Sequence, residues 1–287
     1  MQGDNRKSAY PALILSMVIF GTIGIFRRQI DLPSETLAFV RGILGSVFLL
    51  LLMRLTGRRF QTAPLKGSLA LLVLTGAMIG FNWILLFEAY NYTTVAVATL
   101  CYYMQPVIVL LVSPFLFKEA VTLRKILCVA AALAGMVLVS GAAGSSGAGA
   151  DPVKGIVLGL GAAALYACVV LLNKKITGVP LYEKTIIQLF SAAAALIPYM
   201  LSRGTLRSYG PESTQIILLL TVGIIHTGLA YALYFGAVEK LPVQTAALFG
   251  YIDPVTAVLL SALFLHEPMT PAGIAGAVLI LGALLLA

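Results

Sequence analysis

Apolar runs follow one another along almost the whole chain, separated by short polar stretches. They fall at about 9–26, 34–53, 66–89, 93–117, 122–141, 153–173, 183–202, 213–236, 241–265 and 270–287. Each approaches the roughly 20 apolar residues that a helix needs to cross a bilayer. The pattern therefore predicts ten spanning helices and an all-α polytopic membrane protein. Between the fifth and sixth runs, residues 144–152 (Gly-Ser-Ser-Gly-Ala-Gly-Ala-Asp-Pro) read as a flexible linker. This stretch lacks the Gly-Lys-Ser/Thr ending of a phosphate loop.

Composition fits the pattern. Of 287 residues, 60% are hydrophobic and 10% charged, against about 25% charged in a soluble domain. So few charges would not keep such a surface in water, and no polar stretch is long enough for a soluble domain. The net charge of +8 is no nucleic-acid signal, because the basic residues lie mainly in short loops. With the N-terminus in the cytoplasm, thirteen Lys and Arg fall on inner segments and five on outer ones (Arg27, Arg28, Lys154, Arg203, Arg207). That bias favours both termini inside and an even helix number. Arg6 and Lys7 precede the first run without an Ala-x-Ala-like cleavage site, so this run reads as a retained helix. Cys101, Cys128 and Cys168 sit in apolar segments without metal-ligand spacing and read as buried thiols.

A shift of 148 residues brings the chain onto itself. Gly80 meets Gly228, Tyr103 meets Tyr251, Pro106 meets Pro254, Glu119 meets Glu267 and Thr122 meets Thr270 in one gapless register. Matching aliphatics is common in membrane proteins, but matching Pro, Glu, Tyr and Thr together is not. The register divides the chain into 1–143 and 153–287, with 144–152 as linker. Each half holds five helices, an odd number, so the second enters the membrane from the opposite side. The expected architecture is two inverted five-helix repeats, with a site near the midplane where the halves meet.

The repeated segments are Tyr103-Met104-Gln105-Pro106 … Lys118-Glu119 and Tyr251-Ile252-Asp253-Pro254 … His266-Glu267. With Leu37-Ala38-Phe39-Val40-Arg41-Gly42 at the second helix, they make the chain resemble the EamA-type branch of the drug/metabolite transporter superfamily. Where members often carry Gly before that Glu, this chain has Lys118 and His266. The resemblance covers essentially the whole chain. It implies ten helices in two EamA units and export or exchange of a small metabolite.

Asp253 is the foremost candidate for chemistry. The pattern places it near the middle of the ninth helix, where a carboxylate is costly unless paired or hydrated. It is a proton-coupling site, the counter-ion of a cationic substrate, or a neutral acid joining two helices. Gln105 is its repeat equivalent. His226, near the middle of the eighth helix, is a second proton-coupling candidate or a neutral ring bonded to a backbone carbonyl. Pro106 and Pro254 lack an N–H, which frees the carbonyls four residues earlier and suggests two hinges. Trp83, Tyr102, Tyr103, Tyr231 and Tyr251 gather at one depth, and with Asn82 they are candidates for substrate binding. Tyr90, Tyr92 and Tyr234 fit an interfacial belt. Arg41 snorkels outward or meets a carboxylate. Glu119 and Glu267 precede Thr122 and Thr270-Pro271, which read as helix N-caps, so both acids read as structural. Gly76-x-x-x-Gly80 and Gly155-x-x-x-Gly159 permit close helix packing.

Together these features favour a secondary active transporter, an exporter or exchanger working by alternating access on a small polar organic metabolite such as an amino acid or amine. Coupling to protons is open. A multidrug or quaternary-ammonium exporter is the alternative within that class. An intramembrane enzyme lacks a recognised nucleophile–base or HExxH motif, and a channel lacks a ring of like residues. No cofactor or metal motif is found. The expected partners are the lipid bilayer, a small-molecule substrate and, for a coupled mechanism, protons, with no nucleic acid. Monomer and homodimer both stay open. The expected location is the plasma membrane, or the inner membrane of a bacterium.

Overall fold

The computed structural model describes residues 9–62, 65, 67–117, 122–145, 151–205, 212–241 and 249–286. Glu119, most of the linker and residues 242–248 of the ninth apolar run lie outside the described residues. Every regular element among the described residues is helical. Helix α1 is Ala9–Gln29, α2 Ser34–Leu55, α3 Leu69–Tyr92, α4 Val95–Tyr102, α5 Gln105–Phe117 and α6 Leu123–Ser145. Then come α7 Pro152–Asn173, α8 Leu181–Arg203, α9 Ser213–Gly223, a π-helical turn Ile224–Leu229, α10 Ala230–Val238, α11 Ile252–Phe264 and α12 Pro271–Leu286.

Among the described residues, seven stretches are long and apolar enough to cross a membrane: α1, α2, α3, α7, α8, Val95–Val112 across α4 and α5, and Ser213–Val238 from α9 through α10. Three shorter apolar helical segments, Ile126–Val139, Ile252–Phe264 and Pro271–Ala283, complete ten. The fold is that of an all-α polytopic membrane protein. Outward faces carry large apolar side chains, as a lipid solvent requires; Phe115 is 87% and Val137 72% exposed. Several hydroxyls inside the helices are satisfied within their own turn. Ser16 donates to the Leu13 carbonyl at 2.7 Å and Thr75 to the Leu71 carbonyl at 2.7 Å.

The chain packs as two compact units, and each draws on both halves of the sequence. One comprises Met1–Ile84 and Leu172–Asp253, the other Leu85–Leu171 and Pro254–Ala287. In the first, α2 and α3 lie against α8 through small residues. A Cβ on Gly42 would stand 2.9 Å from the Leu189 carbonyl oxygen, and one on Gly80 2.9 Å from that of Ala192. Gln188 links helices here, donating from Nε2 to Thr75 Oγ1 and to Asn173 Oδ1 at 2.8 Å each. At one end, Arg58 pairs with Glu239 through two bonds of 3.1 Å and lies over the Tyr182 ring. This bond and charge hold the Arg58 pKa above its ordinary value. Being half exposed, the pair contributes about 0–1 kcal/mol.

In the second unit, α6 and α12 touch backbone to backbone. A Cβ on Gly135 would meet the Gly276 carbonyl oxygen at 2.7 Å. Helix α7 packs through Gly155 on Thr93 and through Gly159 on Cys101. Both Gly-x-x-x-Gly pairs thus work as close-packing surfaces. Thr270 is an N-cap as expected, accepting from the Gly273 amide at 3.0 Å. Glu267 is structural, but for a different helix. Its two oxygens each accept from the Val95 amide at 2.9 Å, at the start of α4, where the helix dipole favours an anion.

His266, just before this cap, has φ +51°. That left-handed conformation costs a side-chain-bearing residue about 1–2 kcal/mol and costs glycine little. His266→Gly is therefore expected to raise thermal stability, by about 1 kcal/mol or less once the looser unfolded chain is counted. A fall in Tm would contradict this account of the turn. One cysteine departs from expectation: Cys101 and Cys128 are buried, but Cys168 is exposed.

Candidate functional site

The expected continuous fourth helix is broken, and the expected mid-helix proline sits at the break. Helix α4 ends at Tyr102 and α5 begins at Gln105, so Pro106 is its second residue. Within one residue of the equivalent place 148 residues on, α11 begins at Ile252, with Asp253 and Pro254 in its first turn. A proline there gives up an N–H that has no partner within the helix anyway. These prolines start helices rather than kink them. The connecting carbonyls are taken up in tighter turns: the Met104 amide donates to Cys101 at 3.1 Å and the Asp253 amide to Gly250 at 3.4 Å. Asp253 thus stands at a helix start, not in mid-helix, and is half-buried. Its carboxylate is favoured there by the dipole.

The first unit also holds a buried polar cluster. Ser213–Val238 winds one π turn at Ile224–Leu229, which carries His226 and Thr227. Such bulges re-aim side chains inside an otherwise α-helical span. His226 is buried, with Nε2 2.8 Å from Thr22 Oγ1 and Nδ1 3.4 Å from the Thr221 carbonyl oxygen. Thr22 itself donates to the Ile19 carbonyl at 2.7 Å. The Phe26 ring stands edge-on at 4.6 Å.

The next residue, Thr227, accepts at Oγ1 from Arg41 Nε at 2.7 Å and donates to the Val222 carbonyl at 3.1 Å. The Arg41 guanidinium lies over Trp83, 4.2 Å from the ring centroid. Tyr231 stacks on Phe235 at 5.5 Å and interacts electrostatically with both Arg41 and Asp253. Arg41, Trp83, His226, Tyr231 and Asp253 therefore belong to one neighbourhood of one unit.

A model of the EamA-like transporter family matches residues 7–141 and, a second time, residues 153–287. The chain belongs to the EamA-like transporter family. It is 30% identical over 271 residues to the uncharacterized transporter YxxF of Bacillus subtilis (strain 168), covering 92% of this chain and 84% of that one. It is 27% identical over 278 residues to an uncharacterized transporter of Archaeoglobus fulgidus, covering 96% and 94% of the two chains. A solved crystal structure shares the fold, with a TM-score of 0.67 at 21% identity over 98% of this chain and 96% of the other. This EamA-like chain is thus a multi-pass membrane transporter of small molecules, from a family of transporters rather than enzymes.

Within that EamA-like frame the sequence-predicted residues divide between the units. Asn82, Trp83, His226, Tyr231, Tyr251 and Asp253 fall in the first, and Tyr102, Tyr103, Gln105, Pro106 and Pro254 in the second. Asn82 and Trp83 are buried, and Tyr251 is half-buried. In the second unit, Tyr102 stands at 6.0 Å from Tyr103 and 5.8 Å from Tyr166. Gln188 is occupied in linking helices. Tyr90 is buried beside Thr99 rather than belonging to an interfacial belt. Among the described residues, no group of three or more His, Cys, Asp or Glu is placed to hold a metal.

Sequence reasoning undervalued Arg41, which is buried instead of snorkelling, and missed Thr22 and Thr227. The cost of a cation in a spanning run was the available signal for Arg41. A hydroxyl among aliphatics gives none.

Proposed function

We propose that this transporter is a secondary active exporter or exchanger that moves a small polar organic metabolite, such as an amino acid or amine, by alternating access. The carrying observation is the polar neighbourhood of Arg41, Trp83, His226, Tyr231 and Asp253 among otherwise apolar helices. Buried ionisable groups in spanning segments are expensive and mark substrate or proton pathways. Asp253 carries the proton or meets the cationic group of the cargo, and His226 is the second proton carrier. Trp83, Asn82, Tyr231 and Tyr251 of the first unit are proposed to bind substrate, as are Tyr102, Tyr103 and Gln105 of the second. Pro106 and Pro254 are the proposed hinges, since each stands in the first turn of a helical segment.

Two five-helix repeats, 1–143 and 153–287 joined by 144–152, are proposed to be inverted, with both termini cytoplasmic in a plasma or bacterial inner membrane. The 148-residue register, the paired family matches and the equivalent helix starts at Gln105 and Ile252 support this reading. A multidrug exporter is the second reading, favoured by the aromatic content of the same neighbourhood.

The substrate is tested by thermal stability of the purified chain against amines, amino acids, nucleobases and sugars. A ligand at a hundred times its Kd adds about 2.7 kcal/mol. Stabilisation by small polar amines or amino acids is expected. Stabilisation by bulky quaternary cations alone would move the assignment to the multidrug reading.

A further inference from the structure

Helices α6 and α12 cross at two glycines. A Cβ on Gly135 would stand 2.7 Å from the Gly276 carbonyl oxygen and 2.9 Å from Ile280, and one on Gly276 would stand 2.8 Å from Val139. As the contact moves up α6 it moves back along α12, so the two helices run antiparallel. Toward the start of α6 and the end of α12 this contact gives way to a groove of about 720 Å³, a volume typical of small-molecule sites.

Small residues make its floor. Cys128 and Ala283 are buried, and a Cβ on Gly282 would find nothing within 4 Å. Leu127 and Val278, 60% and 65% exposed, stand along its rim. The interior is thus apolar and open. At one end stands Arg124, exposed and in the first turn of α6. It is the charged residue among the described ones that line the groove.

We infer that this groove binds an anionic phospholipid, with an acyl chain along the floor and the head-group phosphate on Arg124. Bulk lipid wets any apolar face, but an anionic head also answers the cation. Arginine takes a phosphate through two parallel bonds, and its five donors let a phosphate share it with whatever else it meets. In the proposed topology this end faces the cytoplasmic leaflet, and Lys118, Arg124 and Lys125 lie in one short segment there. Basic pockets between spanning helices on that side take anionic head groups. A second copy seated in the groove about a two-fold axis along the membrane normal would bring Arg124 toward its own equivalent, where like charges repel. The groove belongs to the second unit, whereas the polar neighbourhood of Arg41 and His226 belongs to the first.

The test uses the purified full-length chain in detergent with dioleoyl phosphatidylglycerol and dioleoyl phosphatidylcholine, which differ only in the head group. Bound lipids are counted by native mass spectrometry, and Tm is followed over the same titration. Phosphatidylglycerol is expected to bind and stabilise at concentrations about fivefold or more below phosphatidylcholine, the effect of one basic residue near an anionic head. Arg124→Gln removes that preference. The same change at Arg59, an exposed residue of another inner segment, keeps it. Gly282→Phe puts a ring into the open space and removes the tightest-bound lipid with either head group. Should one of the two groove variants fail to fold, the other decides. Equal binding of the two lipids by the wild type overturns the assignment, as does a preference that survives Arg124→Gln or binding untouched by Gly282→Phe. A dimer that Gly282→Phe dissolves gives the groove to a second copy and overturns it too. Flux through reconstituted wild-type protein tests the transporter reading separately.

Discussion

Asp253→Asn is expected to lower gradient-driven transport about thirtyfold or more while the protein stays folded. Asparagine preserves the size of the side chain and leaves the helix start at Ile252-Asp253-Pro254 intact. What disappears is the charge and the capacity to bind and release a proton. Its favourable interaction with the helix dipole is worth only about 0.3–1 kcal/mol, so Tm should move little. The loss of a half-buried charged partner for a proton or an ammonium group costs about 2 kcal/mol or more, which is the thirtyfold or greater effect at 1.4 kcal/mol per decade. Uptake into reconstituted vesicles and thermal unfolding of the same preparation separate the two. Full transport and unchanged substrate affinity in the variant would remove Asp253 from both proposed roles.

The largest stability effect should come from a residue without a side chain. A Cβ at Gly76 would stand 2.6 Å from the Gln188 carbonyl oxygen and 2.6 Å from Ser191 Cβ, on the neighbouring α8. The nearest obstacle is backbone, which cannot rotate away. Gly76→Leu therefore forces α3 and α8 apart and disturbs the Gln188 bond to Thr75. Overpacking of this kind costs about 3 kcal/mol, or a fall in apparent Tm of roughly 10 °C. Gly236→Ala is the counterpart. Nothing lies within 4 Å of its added Cβ, and alanine in a helix is favoured over glycine by about 1 kcal/mol. Opposite shifts for the two variants are expected in thermal unfolding. A tolerated Gly76→Leu would mean that α3 and α8 do not pack as described.

Much of the fold was legible because lipid makes a simple demand: long apolar runs, spaced by short basic loops. The spans came out within a few residues of their observed bounds where no break intervened, as in Ser34–Leu55 and Pro152–Asn173. The breaks were not legible. An apolar run reads the same whether its backbone is continuous or interrupted, so Gln105 and Asp253 were placed in mid-helix when each opens a helical segment. The prolines beside them were the cue, but proline marks both kinks and helix starts. The π turn at Ile224–Leu229 left no trace in composition, although it carries both His226 and Thr227. Trp83, His226, Tyr231 and Asp253 were chosen by the cost of polar groups in lipid, and they share a unit. Which hydroxyls meet them depends on helix rotation, and that is set by glycine contacts distant in sequence, such as Gly45 against Thr227.

The central claim is that this protein moves a small polar organic molecule across the membrane by using a gradient. The most direct measurement is counterflow in vesicles reconstituted with the wild-type chain. Vesicles are loaded with unlabelled amino acids or amines, diluted into labelled solute, and compared with protein-free vesicles with and without an imposed pH gradient. The account predicts transient accumulation of label that needs the protein and that saturates with solute. Label entering equally with and without protein, for every amino acid and amine tried, would contradict it.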